Sequence, residues 1–307
     1  MNGDHRFERA KLYIDMGQTN QAVDLLAELL GDDPNEPIYH AVLASCLLDQ
    51  KRLAGAEYEL DVAQSLDPTL AVVYVVRSRL LLFQRKFDDA LESCEQALQL
   101  NPEYVDALLV HSQLLRITEQ RKPAFAQLQR AAALDPEDLD VVIAFGDYYN
   151  AYGDHQKALE RAQEAMRINA GSADANVLMG ETLLALGESA EADAHARYAV
   201  SQNPNNADAL RLLVNVRMRE NFFIGLWWRI NSWATRLNST SLGFVLIAAY
   251  VIFQLTSQIT YDLGYETASR FLDFGWLALV LYSWLGIPIY TRALRKAVEE
   301  VQFNPKF

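Results

Sequence analysis

Apolar and polar positions alternate along residues 1–206 with helical spacing, and the pattern returns in phase every 34 residues. With Pro34, Pro68, Pro102, Pro136 and Pro204 set at position 32, successive units begin at Gly3, Pro37, Ala71, Val105, Leu139 and Ala173. Position 20 is then always alanine: Ala22, Ala56, Ala90, Ala124, Ala158 and Ala192. Position 27 reads Leu29, Ala63, Ala97, Ala131, Ala165 and Ala199, and position 8 is small throughout, from Ala10 and Ala44 through Ser78 and Ser112 to Gly146 and Gly180. Small side chains recurring among large apolar ones let a neighbouring backbone come close. Each unit thus predicts two helices separated by a tight reversal at position 15, where Gly17, Gly153 and Gly187 stand. Pro123 falls near the start of a second helix, where its missing N–H does no harm.

A unit of this length with this arrangement of small residues and proline closely resembles the tetratricopeptide repeat. The resemblance covers about two-thirds of the chain and implies an all-α fold, about six pairs of antiparallel helices stacked as a right-handed superhelix. Two departures stand out. Ala170-Gly171 replaces the proline turn of the fifth unit, and Arg6 and Arg9 occupy packing positions of the first, which reads as an atypical cap.

In that family the first helix of each unit lines the concave surface, and positions 2, 5, 9 and 12 face it. The resemblance implies a partner-binding groove carrying Phe7, Lys11, Ile14, Ser45, Leu48, Val75, Arg79, Leu82, Leu109, Gln113, Arg116, Ile143, Asp147, Asn150 and Glu181, with Asp106, Asp140 and Asp174 at position 2. The surface is graded, apolar with Lys11, Arg79 and Arg116 in the first four units and acidic in the last two. Arg79 and Arg116 beside Val75, Leu82 and Leu109 suit an extended ligand with acidic and apolar residues; solubilising charge on a solenoid face is the plainer alternative. Chaperone-binding members hold a terminal carboxylate with lysine and asparagine at set groove positions. Phe7, Lys11, Ala41 and Ser45 do not supply that clamp.

The composition changes after about residue 220. Residues 240–259 contain no charged side chain, and about 20 such residues are needed to cross a hydrocarbon core. A second apolar run covers residues 274–290, so residues 239–292 read as a transmembrane helical hairpin; a pair of buried helices in a soluble domain is the competing reading. Arg217, Arg219, Arg229 and Arg236 precede the first span and Arg292, Arg295 and Lys296 follow the second, whereas the connection holds only Arg270. By the basic-residue bias both ends are cytoplasmic, with residues 293–307 a cytosolic tail. Residues 207–238 read as capping or amphipathic juxtamembrane helices. Trp227, Trp228, Arg229, Trp233 and Arg236 fit a helix lying at the membrane interface, or a last cap packed on the sixth unit. This layout resembles bacterial inner-membrane proteins with cytosolic tetratricopeptide repeats and a terminal hydrophobic hairpin, a likeness that implies architecture rather than activity.

Charge sharpens the division. Residues 1–206 hold 17 basic and 33 acidic side chains, and 207–307 hold 10 and 7, so the array is acidic, against general nucleic-acid binding. The start MNGDHRFERA lacks the apolar run of a secretory signal, in keeping with repeats in the cytosol. Cys46 and Cys94 make no metal-like pair and read as buried thiols. His5, His40, His111, His155 and His195 are scattered over five units, and neither a phosphate loop nor a nucleophile elbow occurs. The expectation is a non-enzymatic, membrane-anchored interaction scaffold without cofactor or metal. The alternative is an assembly subunit of a membrane enzyme or transport complex whose hairpin packs on partner transmembrane helices, with Gln254 and Gln258, four apart on one face, bonding across helices.

Overall fold

The computed structural model describes residues 2–204, 206–220, 239–268, 270, 272, 274 and 275. Two helices, A then B, form each repeat: α1 (Asn2–Asp15) and α2 (Thr19–Asp32), α3 (Pro37–Asp49) and α4 (Leu53–Leu66), α5 (Ala71–Phe83) and α6 (Phe87–Leu100), α7 (Val105–Ile117) and α8 (Arg121–Leu134), α9 (Leu139–Ala151) and α10 (His155–Ile168). α11 (Ala173–Leu186) and α12 (Ser189–Gln202) continue the phase, α13 (Ala207–Glu220) begins where a seventh A helix would, and α14 is Ser239–Asp262. No strand occurs among the described residues. The chain divides into two compact units, Met1–Thr182 and Leu183–Phe307.

The reversal between A and B follows one design. Position 15 takes a positive φ in all six units: 69° at Gly17, 59° at Lys51, 62° at Arg85, 61° at Glu119, 80° at Gly153 and 101° at Gly187. That rotation sends the next N–H back to a carbonyl five residues earlier, Gln18 to Tyr13 at 2.7 Å, Arg52 to Leu47 at 2.8 Å and Gln120 to Leu115 at 2.8 Å, which satisfies the orphan end of each A helix. Glycine supplies it without steric cost in three repeats; a lysine, an arginine and a glutamate are held there in the others.

The step from B to the next A is built on position 31 rather than on the proline. Asp67 Oδ1 accepts the Thr69 N–H at 2.8 Å, Asn101 Oδ1 that of Glu103 at 3.2 Å, and Asn169 Oδ1 that of Gly171 at 3.0 Å. These side chains mimic a backbone turn. Asn169 therefore makes the turn in the unit where Ala170 stands in place of proline.

Packing within a repeat explains the small positions. Ala22, Ala56, Ala90, Ala124 and Ala158 are all fully buried. At position 8 Ser78 Oγ donates to the Ala90 carbonyl at 2.8 Å and Ser112 Oγ to that of Ala124 at 3.0 Å, strapping A to B. At the same station a β-carbon on Gly146 would stand 2.5 Å from the Leu178 side chain of the next A helix, so any larger residue requires Leu178 to shift. The first unit departs as its sequence suggests: Arg6 reaches Asp32 at 2.6 Å, an exposed ion pair in place of apolar packing.

Among the described residues α3 packs on α5, α5 on α7 and α7 on α9, while no B helix of the Met1–Thr182 unit packs comparably on the next B. The A helices therefore line the tighter, inner face of the Met1–Thr182 unit. Within the second unit α13 lies on α12 and buries Ala209, Leu212, Leu213 and Val216, one apolar stripe at helical spacing.

The expected transmembrane hairpin finds no support here: among the described residues no helix is long and apolar enough to cross a membrane. α14 has 24 residues, and its side chains are described from Tyr250 onwards, where Ile252, Leu255 and Ile259 are exposed. It ends at Gly264 with φ 86°, the Tyr265 N–H returning to the Thr260 carbonyl at 3.1 Å. The second expected span beyond Gly275 lies outside the described residues, as do Trp227, Trp228, Arg229, Trp233 and Arg236.

Candidate functional site

The candidate site is the inner face of the A helices in the Met1–Thr182 unit. Position 8 of these helices meets the B partner through Ser78 and Ser112, and positions 2, 5, 9 and 12 are those expected on the inner face. Of the residues expected there, Leu48 and Val75 are buried at 0% and 4% exposure and form floor rather than surface. Ile14, Leu82, Leu109 and Ile143 are half-buried, a discontinuous apolar strip along successive A helices. Phe7 is turned onto Tyr39, ring centres 5.0 Å apart, and Lys11 folds back over the Phe7 ring at 4.8 Å while pairing with Glu8 at 2.7 Å.

Polar groups sort into held and open. Asn150 donates to Thr182 Oγ1 at 2.8 Å, bridging consecutive A helices. Asp147 and Glu181 are half-buried, and Gln113 is exposed. Arg79 is engaged inside the array: Nη1 lies 3.5 Å from Ser45 Oγ and Nη2 3.7 Å from Asp49 Oδ1. Arg116, half-buried, makes no ion pair among the described residues.

Acidic groups gather around Arg79. Burial raises the Asp49 carboxyl above its ordinary value, Arg79 draws it back, and Asp174 pushes it up again. Asp174 belongs to the sixth repeat and Asp49 to the second, and the two carboxyls lie within electrostatic reach of each other. Asp140 is pushed up to about 6, first by desolvation, then by Asp138, Asp106 and Asp174, with Arg79 opposing. Burial raises the Tyr104 hydroxyl as well, and Asp106, which hydrogen-bonds it, adds to the effect. The repeat pattern singles out neither Asp49 nor Tyr104. Asp49 stands at position 13 and Tyr104 in the turn before α7, places that face the groove only once the helices are stacked.

Among the described residues no group of three or more histidine, cysteine or acidic side chains could hold a metal ion. Burial pushes the Cys46 and Cys94 thiols up to about 12, which leaves little thiolate for chemistry at neutral pH.

The tetratricopeptide repeat family model matches residues 7–71 and 75–138. A tetratricopeptide repeat protein of Parabacteroides merdae is similar at 14% identity over 80% of this chain and 97% of its own, with a TM-score of 0.50. One from Thermus thermophilus aligns at 19% identity over 59% of this chain and 99% of its own, TM-score 0.53. The Cut9-Hcn1 hetero-tetramer of the APC/C aligns at 15% identity over 69% of this chain and 42% of that one, TM-score 0.54. No curated protein matches the sequence. The array accordingly has the tetratricopeptide repeat fold, an all-helical solenoid.

Proposed function

We propose that this protein is a non-enzymatic scaffold that holds a segment of a partner protein on the inner face of its repeat array and is anchored at a membrane by its C-terminal region, with the repeats on the cytosolic side. The observation that supports the binding half is the row of half-buried Leu82, Leu109 and Ile143, which keep part of their apolar surface exposed along successive A helices. Anchoring rests on the uncharged run 240–259 and the arginine-rich flanks, together with exposed Ile252, Leu255 and Ile259 on α14. The alternative, an assembly subunit packing on partner transmembrane helices, draws less from α14 than its sequence promised. Gln254 donates to Tyr250 Oη at 3.4 Å and Gln258 to Asp262 at 3.0 Å, both within the helix.

A photo-crosslinking amino acid at Gln113 on the inner face, compared with one at Tyr58 on α4, tests the first half in cells expressing the full chain. Adducts to a discrete protein from position 113 and not from 58 are expected; equal labelling from both would place binding elsewhere. The second half is tested by washing membranes with carbonate. Release of the chain without detergent would rule out an integral anchor.

A further inference from the structure

The charge on the inner face is lopsided. Asp106, Asp140 and Asp174 occupy the same station of three consecutive A helices, α7, α9 and α11, and Asp49 and Asp138 lie within electrostatic reach of this row. Arg79, which acts on Asp49 and Asp140, is already shared with Asp49 and Ser45, and Arg116 stands on the same face. Asp140 has no counter-ion in contact among the described residues, and its carboxyl is pushed up to about 6, so it is still largely charged at neutral pH. Beside this row Leu109 and Ile143 expose part of their apolar surface. A cation brought here would relieve crowding among like charges, whereas an acidic side chain would add to the repulsion.

Resting on the groove reading above, we propose that the inner face takes an extended peptide whose basic side chains stand along Asp106, Asp140 and Asp174 while intervening apolar side chains lie on Leu109 and Ile143. The spacing is compatible. Packed helices lie about 8–10 Å apart and an extended chain advances about 3.3 Å per residue, so roughly every third ligand residue meets an equivalent station. Charge would set direction and register, and the apolar contacts would hold the segment. This reverses the polarity that Arg79 and Arg116 suggest from sequence, because Arg79 is neutralised by its own neighbours.

The test uses the full chain in nanodiscs of zwitterionic lipid and two fluorescein-labelled 12-residue probes, one a Lys-Ser-Leu repeat and the other a Glu-Ser-Leu repeat, read by fluorescence anisotropy. The basic probe is expected to bind, and the triple variant Asp106→Asn, Asp140→Asn, Asp174→Asn to lose roughly tenfold or more in affinity. A matched variant removing three acids from the B helices, Glu57→Gln, Glu92→Gln and Glu160→Gln, should lose far less, which separates the inner face from the general acidity of the array. Binding should also weaken between pH 7 and 5 as Asp140 takes up its proton. Thermal melts verify folding, and Asp140→Asn alone serves should the triple variant be unstable. Equal losses in the two triple variants would overturn the proposal. Tighter binding of the acidic probe, abolished by Arg79→Gln with Arg116→Gln, would overturn the polarity and leave groove binding standing; binding of neither probe would count against both.

Discussion

Lys51, Arg85 and Glu119 each hold a left-handed backbone, φ 59–62°, at the station where Gly17, Gly153 and Gly187 do the same. A non-glycine residue there costs about 1–2 kcal/mol, while glycine loses more chain entropy on folding, about 1 kcal/mol. Lys51→Gly, Arg85→Gly and Glu119→Gly should thus be neutral to stabilising by up to about 1 kcal/mol each, in contrast to glycine placed elsewhere in these helices. Urea titrations of the three variants measure it; clear destabilisation would mean that these side chains contribute contacts beyond the turn. Asp140 supports a second residue-scale prediction. Its folded pKa of about 6 lies above the ordinary carboxylate value, so between about pH 4 and 6 the native state binds more protons than the unfolded chain, and stability falls as pH rises through this window. Asp140→Asn should raise the melting temperature at pH 7 and lose that advantage at pH 4, and an advantage equal at both pH values would assign the effect to something other than ionisation.

The helices themselves were legible because their signal is a side-chain pattern: A helices start at Pro37, Ala71, Val105 and Leu139, where the 34-residue phase puts them. What the pattern hid was backbone chemistry and stacking. Nothing in the letters Lys, Arg and Glu announces a positive φ, and the turn-making Asp or Asn at position 31 was overshadowed by the proline beside it. The groove was legible as a list of positions, yet the engagement of Arg79 by Asp49 depends on how closely successive A helices stack, which a local reading does not contain. Gly146 is the element-scale test of that stacking. Helix propensity alone would favour Gly146→Ala by about 1 kcal/mol, but the new methyl would stand 2.5 Å from a Leu178 side chain that is itself 1% exposed. Overpacking of this kind costs about 1–3 kcal/mol. The variant should therefore be destabilised by denaturant titration, and Gly146→Ala paired with Leu178→Ala should recover part of the loss; a stabilised single variant would mean that α9 and α11 stand further apart than described.

In a stacked array each repeat is stabilised by its neighbours, so damage should stay near where it is made. α13 allows a decisive trial because it closes onto α12 with Leu212 and Leu213 fully buried. Leu212→Ala removes part of that stripe and should cost about 2–4 kcal/mol locally, with the amount set by how far the site can collapse. If coupling runs from neighbour to neighbour, hydrogen exchange in the full chain should accelerate through α12 and α13 and leave α3 to α6 close to the parent rates. The same substitution in a single cooperative body would lower protection by a similar free energy everywhere, including the slowest amides around Leu48 and Leu60, both fully buried in the first repeats. A uniform loss would show that the array unfolds as one body, and the binding surface in the early repeats would then feel every change made at its far end. Protection lost only in α12 and α13 would mean that the inner face keeps its shape independently of the C-terminal helices. The proposed scaffold, holding a partner on its inner face while anchored through its C-terminal region, would require that independence.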